Sequence, residues 1–364
     1  MNHYQVCVYA ITKNEEQFVD RWMDSMQEAD LVVVTDTGST DQTVKKLKAR
    51  GALVFEESVD PWRFDVARNL SLSHVPDDMD ILVCTDLDEV LRPGWRTSLE
   101  QHWHKDATMG QYLYNWSLKP DGTPAVQFTY FKVHTKADYT WHCPVHEYLK
   151  YVGKKPEKKV FIQGMVLDHF PDPTKSRNSY LGLLEMAVEE DPLSDRMRYY
   201  LGREYMYNRR WNECISTLKA FLKLPTATWA EERCAAMRWI AKAYLEIKQH
   251  SEAYRWYYRA IAEVPYMRDA YVELAKMGYL LNDWTTVLFA ISATLKIKNK
   301  SAVYVNAAHA WDYTPDDLMA IACYRLGLYE KSLEHAKQAL TFEPENERLQ
   351  RNHENIKKAL KLKF

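Results

Sequence analysis

The chain has 364 residues, with 46% hydrophobic and 27% charged residues and a formal net charge of −2. That length and balance predict two globular, core-forming domains. They give no support to a general nucleic-acid binder, which would show a basic stripe, so nucleic acid is not the expected partner. No apolar stretch reaches the roughly 18 residues of a transmembrane segment. The opening residues, Met1 to Ala10, lack a charged segment ahead of a long apolar run. The expectation is a soluble, cytoplasmic protein. The six cysteines (Cys7, Cys84, Cys143, Cys214, Cys234, Cys323) form no CxxC pair, so they read as buried, reduced thiols rather than a zinc or redox site.

The first half alternates strand and helix patterns. Val6 to Ile11 is a short apolar run, read as a buried strand. Lys13-Asn14-Glu15-Glu16 opens a helical pattern through Met26. Leu31 to Thr35 is a second strand, stopped by Asp36-Thr37-Gly38-Ser39-Thr40-Asp41. Thr43 to Arg50 reads as a helix closed by Gly51, Ala52 to Phe55 as a strand and Phe64 to Ser73 as a helix. Ile81 to Thr85 is a fourth strand, ending in Asp86-Leu87-Asp88-Glu89. This alternation predicts an α/β domain with a mostly parallel sheet. Both polar clusters fall at the carboxyl edge, where such sheets bind ligands.

From about Asn178 the texture becomes all-helical. Small residues recur at matching positions in stretches starting at Cys234 (Ala241, Ala253, Ala260) and Arg268 (Ala275), 34 residues apart. A stretch from Tyr313 carries Ala320, Gly327 and Ala339, and a weaker copy near Asp195 has Gly202, Tyr205 and Trp211. That period and those positions are the tetratricopeptide (TPR) signature. The expected organisation is an α/β domain over residues 1–177 and a TPR-like helical-repeat domain over residues 178–364.

Asp86-Leu87-Asp88-Glu89 is the sharpest chemical feature. An apolar strand delivers two carboxylates, two residues apart, into a turn. Mg²⁺ or Mn²⁺ binds through one or two carboxylates plus substrate phosphates. The plainer reading is an acidic turn solvated at the sheet edge. In Asp36–Asp41, Gly38 permits a tight turn, and the hydroxyls and amides can hydrogen-bond a nucleoside. Alternatively, Ser39 or Thr40 caps the following helix.

Thr12-Lys13-Asn14-Glu15, the Asp36–Asp41 turn, Ala67-Arg68-Asn69 and Asp86-Leu87-Asp88-Glu89, in that order and spacing, resemble the glycosyltransferase family 2 pattern on the Rossmann-like GT-A fold. The resemblance covers about the first half of the chain, to about Asp172. With the helical tail it extends to bacterial family 2 enzymes carrying TPR repeats, such as bacteriocin peptide S-glycosyltransferases. It implies a nucleotide-sugar site: Ala10, Thr12, Asn14, Glu15, Asp36, Gly38 and Ser39 toward base and ribose, Arg68 near the phosphates or bracing the acidic turn, and Asp86, Leu87 and Asp88 at the diphosphate. The metal, Mn²⁺ or Mg²⁺, would take Asp88 and Asp86. His169, in Leu167-Asp168-His169-Phe170, matches the C-terminal histidine that completes the shell in such enzymes, with Asp168 the competing ligand. Lys175 and Arg177 follow as candidate phosphate clamps. An inverting transferase needs a base to take the acceptor proton. In Trp141-His142-Cys143-Pro144-Val145-His146-Glu147-Tyr148, Glu147 is the expected base and His146 the alternative, a His-Glu pair where the family more often carries Glu-Asp.

The expectation is a metal-dependent inverting glycosyltransferase. It would move a sugar from a nucleotide-diphospho-sugar, a UDP-sugar first among them, to a peptide, protein or glycan acceptor. The repeat domain would aid acceptor binding or form a homodimer. The rival is a TPR scaffold with a degenerate transferase domain. A nucleotidyltransferase is disfavoured by the absence of a Gly-rich, lysine-bearing loop.

Overall fold

Strand β1 (Val6–Thr12) is buried along its whole length, which is why it reads as an unbroken apolar run rather than an alternating one. The computed structural model describes residues 4–172, 180–301 and 303–362. It divides the chain into two units, Met1–Ala187 and Val188–Phe364. In the first unit β1 is followed by α1 (Val19–Ser25), β2 (Leu31–Asp36), α2 (Thr43–Ala49), β3 (Leu53–Glu56), α3 (Phe64–His74) and β4 (Ile81–Cys84). The four strands are parallel, in the order β3-β2-β1-β4.

Successive residues of a strand face opposite sides, and β1 divides its side chains accordingly. Val6, Val8 and Ala10 pack with Trp22, Met23, Met26 and Leu47. Cys7 and Tyr9 pack on the other side with Leu72, Val75, Leu82 and Trp141. Helix α1 begins at Val19, not Lys13. Asn14 has a left-handed backbone (φ 53°), and the amides of Asn14, Glu15 and Glu16 bond to Ser39, Thr43 and Asp41 instead of entering a helix.

The second part of the sheet is hairpin-built. The chain continues through β5 (Glu89–Leu91), α4 (Trp95–His102), β6 (Met109–Leu118), β7 (Pro124–His134), β8 (Tyr139–His142), β9 (Tyr148–Tyr151) and β10 (Lys159–His169). The full order is β3-β2-β1-β4-β7-β6-β10-β5, with β8 and β9 forming a separate two-stranded ribbon. Strand β7 is antiparallel to both β4 and β6, while β10 is parallel to β6. The β6–β7 reversal rests on Gly122 (φ 79°), where Asp121 Oδ1 accepts from Thr123 N at 2.9 Å.

His134, fully buried on β7 beside β4, ties this half to the first. Its Nε2 accepts from the Tyr9 hydroxyl at 2.8 Å, and that hydroxyl accepts from Trp141 Nε1 at 2.8 Å. Its Nδ1 donates to the Thr135 carbonyl at 2.8 Å. Burial pushes the imidazole down from its usual 6.5 to about 4, against the opposing pull of the Thr135 carbonyl. A depressed folded-state value gives stability that is fully present above pH 6.5 and is lost as pH falls toward 4. About 3 kcal/mol is expected to disappear over that window. Urea unfolding of wild type and His134→Gln at pH 7 and pH 4.5 checks this: the variant should show a clearly flatter acid limb, and parallel curves would refute the assignment.

In the second unit, α5 (Tyr180–Glu190), which crosses the division, leads into four helix pairs. They are α6 (Asp195–Tyr207) with α7 (Trp211–Phe221), α8 (Ala230–Glu246) with α9 (His250–Glu263), α10 (Asp269–Leu280) with α11 (Trp284–Thr294), and α12 (Thr314–Arg325) with α13 (Tyr329–Phe342). The repeat-position alanines Ala241, Ala253, Ala260, Ala275, Ala320 and Ala339 are all buried. Helix α14 (Glu347–Lys361), capped by Asn346, closes the array by burying Leu349 and Ile356 and leaving most of its other side chains polar and outward. Gly202 on α6 shows why the repeat needs small residues. A Cβ there would lie 2.3 Å from Leu218 Cδ2 of α7. Gly202→Val should therefore destabilise the repeat unit by roughly 1–3 kcal/mol. A thermal melt within error of wild type would show that Leu218 can move aside.

Candidate active site

The carboxyl ends of β1, β2 and β4 share one edge, and the loops that leave them are interlocked. Asn14 N donates to Ser39 Oγ at 2.8 Å, and Asn14 Oδ1 accepts from Thr40 N at 2.7 Å. Glu15 N donates to Thr43 Oγ1 and Gln42 N to Glu16 Oε2, both at 2.8 Å. Thr12 Oγ1 donates to Glu15 Oε2 at 3.0 Å. Asp36 is buried and uses both oxygens in its own turn: Oδ1 accepts from Gly38 N and Ser39 N at 3.0 and 2.9 Å, and Oδ2 accepts from Ser39 Oγ. Gly38 makes the turn possible with φ 105°. The exposed surface of this rim comes from Lys13, Asn14, Gly38 and Thr40. Ala10 lies in the core, its carbonyl accepting from Ser71 Oγ at 2.9 Å. Leu87 also turns its side chain into the core, leaving its main chain for any ligand.

Arg68, projected from α3 and 4% exposed, joins two segments far apart in sequence. Its Nη2 donates to Asp86 Oδ1 at 2.8 Å and its Nε to Glu147 Oε1 at 2.5 Å. The guanidinium also lies 5.0 Å from the centre of the Trp141 ring. Asn69, its neighbour, fixes the same strand: Oδ1 accepts from Trp141 N and Nδ2 donates to Trp141 O, each at 2.8 Å. Burial alone would disfavour the charged guanidinium, but Asp86 and Glu147 raise it well above its ordinary value.

The other oxygen of Asp86 meets Lys132, from β7, at 3.1 Å, and the same ammonium lies 3.6 Å from Glu89 Oε2. Lys132 is 5% exposed. Glu89 is closed in further, accepting from Tyr114 OH and Asp86 N, each at 2.9 Å. Burial pushes the Glu89 carboxyl up while Lys132 pulls it down. Asp86, partly buried, is held well below the usual carboxylate range by Arg68 and Lys132. Neither Lys132 nor the partnership of Glu89 was anticipated from sequence. The available signal was a lysine inside the apolar run Tyr130-Phe131-Lys132-Val133.

Asp88 sits apart from this cluster of charges, beside the end of β10. Its Oδ2 is 3.5 Å from His169 Nε2, and its carbonyl accepts from Phe170 N at 2.8 Å. His169 Nδ1 donates to the Trp116 carbonyl at 3.1 Å, which directs Nε2 toward Asp88. Burial works against the charged imidazole, but Asp88 and the Trp116 carbonyl raise it above its ordinary value. Asp168 is occupied elsewhere, held by Arg92 Nε at 2.9 Å and Asn115 Nδ2 at 2.6 Å. Among the described residues no group of three His, Cys, Asp or Glu side chains converges as a metal cage. His146 has a left-handed backbone (φ 51°), with its ring 5.8 Å from that of Tyr180. Lys175 and Arg177 lie outside the described residues. All six cysteines are free and buried.

The first unit is a Rossmann-like α/β domain with a carboxylate turn at its carboxyl edge, and the second is built of helix pairs. Residues 7–147 match the model of glycosyl transferase family 2, and the N-terminal unit is a domain of that family. No curated protein matches the chain. Among solved structures, MamA is similar at 23% identity over 47% of this chain and 91% of its own, with a TM-score of 0.39. A thermophilic TPR protein of Thermus thermophilus is 14% identical over 49% of this chain and 89% of its own, with a TM-score of 0.35. Glucosyl-3-phosphoglycerate synthase from Mycobacterium tuberculosis, solved with Mn²⁺, UDP and glucosyl-3-phosphoglycerate, is 24% identical over 31% of this chain, with a TM-score of 0.27. The match spans 45% of that enzyme.

Proposed function

We propose that the N-terminal unit is a metal-dependent inverting glycosyltransferase using a nucleotide-diphospho-sugar, with a UDP-sugar the first donor to test. One observation carries the reading. A single buried guanidinium holds Asp86 of the acidic turn at 2.8 Å and Glu147 at 2.5 Å, so a carboxylate at the diphosphate end and a candidate base meet in one place. Transfer needs that proximity, because the acceptor must attack the anomeric carbon opposite the departing diphosphate.

Asp88 and His169 fit the role of metal ligands. A ligating histidine normally donates its other ring N–H to a carbonyl or carboxylate, as His169 does to Trp116. With substrate phosphates completing the shell, one carboxylate and one imidazole would suit Mn²⁺ better than Mg²⁺, which prefers oxygen ligands throughout. The imidazole would give up its proton on binding. The cation, when bound, would neutralise charge on the leaving diphosphate. Asp86, matched by Arg68 and Lys132, serves that end of the site through its fixed cations. Glu147 Oε2 accepts no hydrogen bond among the described residues and would take the acceptor proton as the bond to the anomeric carbon forms and the bond to the diphosphate breaks. Thr12, Asn14, Glu15 and the Asp36–Ser39 turn form the rim assigned to the nucleoside. The acceptor class is peptide, protein or glycan, and the repeat unit serves acceptor binding or dimerisation.

Calorimetric titration with UDP tests this. Binding is expected with Mn²⁺, lost with EDTA and lost in Asp88→Ala. If UDP, GDP, CDP and dTDP all fail to bind, the transferase reading falls and the chain is better regarded as a repeat scaffold.

A further inference from the structure

The stretch that interrupts the helical repeat between α11 and α12 is held against α8 and α10 largely through its main chain. The Val305 carbonyl accepts from Arg238 Nη1 at 3.2 Å, and the Ala307 N–H donates to Asp269 Oδ1. Between and beside them, the Tyr304 hydroxyl donates to Glu232 Oε1 at 2.6 Å, with its ring 5.4 Å from that of Trp229.

Arg238 and Asp269 are 4% and 0% exposed and lie 3.5 Å apart. Burying charges between helices is costly, and well-packed apolar residues would serve stability at least as well. Here the pair presents a donor and an acceptor side by side. They meet a C=O and an N–H two residues apart on a passing chain. Such a pair recognises polypeptide main chain whatever its side chains, while the Trp229–Glu232 corner selects an aromatic hydroxyl.

The present occupant satisfies the site only in part. Arg238 Nε and Asp269 Oδ2, and on the segment itself His309 Nε2, are buried without a hydrogen-bond partner among the described residues. In a permanent core such groups are nearly always paired. Three unpaired atoms at one contact mark an occupant that can be exchanged.

We propose that the face of α8 and α10 around Arg238 and Asp269 is a binding site for a tyrosine-bearing polypeptide segment, and that residues 303–310 are its tethered resident, displaced when such a segment binds. The proposal does not depend on the transferase reading. To test it, residues 303–310 are replaced by a Gly-Ser linker of equal length, and the fluorescein-labelled peptide of that sequence is titrated by anisotropy into both chains. The peptide should bind the linker variant about tenfold or more tighter than the unaltered chain, because only the former has the site open. A peptide carrying Tyr304→Ala should bind the linker variant about tenfold more weakly. In the unaltered chain, amides of residues 303–310 should exchange with solvent at least about a hundredfold faster than those of α8 and α10. No binding to a folded linker variant overturns the proposal. So does loss of helical circular dichroism in that variant, or exchange of the segment in step with the helices, since either makes the segment part of the core.

Discussion

Arg68→Met will cost the N-terminal unit roughly 3–5 kcal/mol, the range for removing one partner from a buried, hydrogen-bonded ion pair. The guanidinium is 5% exposed and serves two carboxylates, so its loss leaves Asp86 with Lys132 alone and Glu147 without its cation. Asp86 keeps 34% of its side-chain surface in contact with solvent, which places the expected effect toward the lower end of that range. Methionine approximates the aliphatic stem, so the comparison isolates the charge and its hydrogen bonds rather than creating a large cavity. Urea unfolding should show a lower midpoint with an unchanged slope. A shift below about 1 kcal/mol would mean that water enters and takes over the guanidinium's role. Arg68→Lys should recover only part of the loss, because an ammonium cannot address two carboxylates with the geometry of a planar fork.

Glu147→Gln is expected to lower the turnover of sugar transfer by about 10²–10⁴ while leaving donor KM near wild type, at a smaller cost in stability than Arg68→Met. Glutamine can still accept from Arg68 Nε through its amide oxygen, so the bond now 2.5 Å long is kept in kind, while the negative charge and the proton-accepting capacity are removed. His146→Gln is the matched control. The larger loss of turnover should fall on Glu147. If it falls on His146, the two residues exchange roles, and if neither variant loses more than a few-fold, the base lies outside the Trp141–Tyr148 segment. Donor binding measured by calorimetry separates these outcomes from a misfolded site.

The parallel half of the sheet was legible because its strands are buried on both faces, so β1, β2 and β4 read as short apolar runs ended by polar turns. The helix pairs were legible from small residues, since close approach admits little else at Ala241, Ala260 or Gly202. The β6–β7 hairpin was not read. Its outer positions are exposed and aromatic, as at Trp116 and Phe131, and that blurs the two-residue alternation by which a half-buried strand is recognised. The start of α1 was placed too early because Asn14, Glu15 and Glu16 have the composition of a first helical turn. Their amides bond to a loop about 25 residues away, and local sequence carries no record of that.

Within the site, the motif residues were visible as types and spacings, but their pairings were not. Which carboxylate of Asp86-Leu87-Asp88-Glu89 meets a fixed cation and which meets a histidine depends on Arg68, Lys132 and His169, carried by three different elements. A strand lysine such as Lys132 ordinarily reads as solvent-facing. Only the sheet order, which sets β7 beside β4, brings it under the acidic turn.

The interlocked loops after β1 and β2 bear on how this domain would take up its ligand. Each of Asn14, Glu15 and Glu16 is already bonded across to the Ser39–Thr43 stretch, and Asp36 has already closed its own turn. A rim ordered beforehand surrenders little chain entropy on association. Ligand capture there should therefore be fast and close to rigid-body, with selectivity resting on fit to a set shape rather than on a loop that folds around its guest.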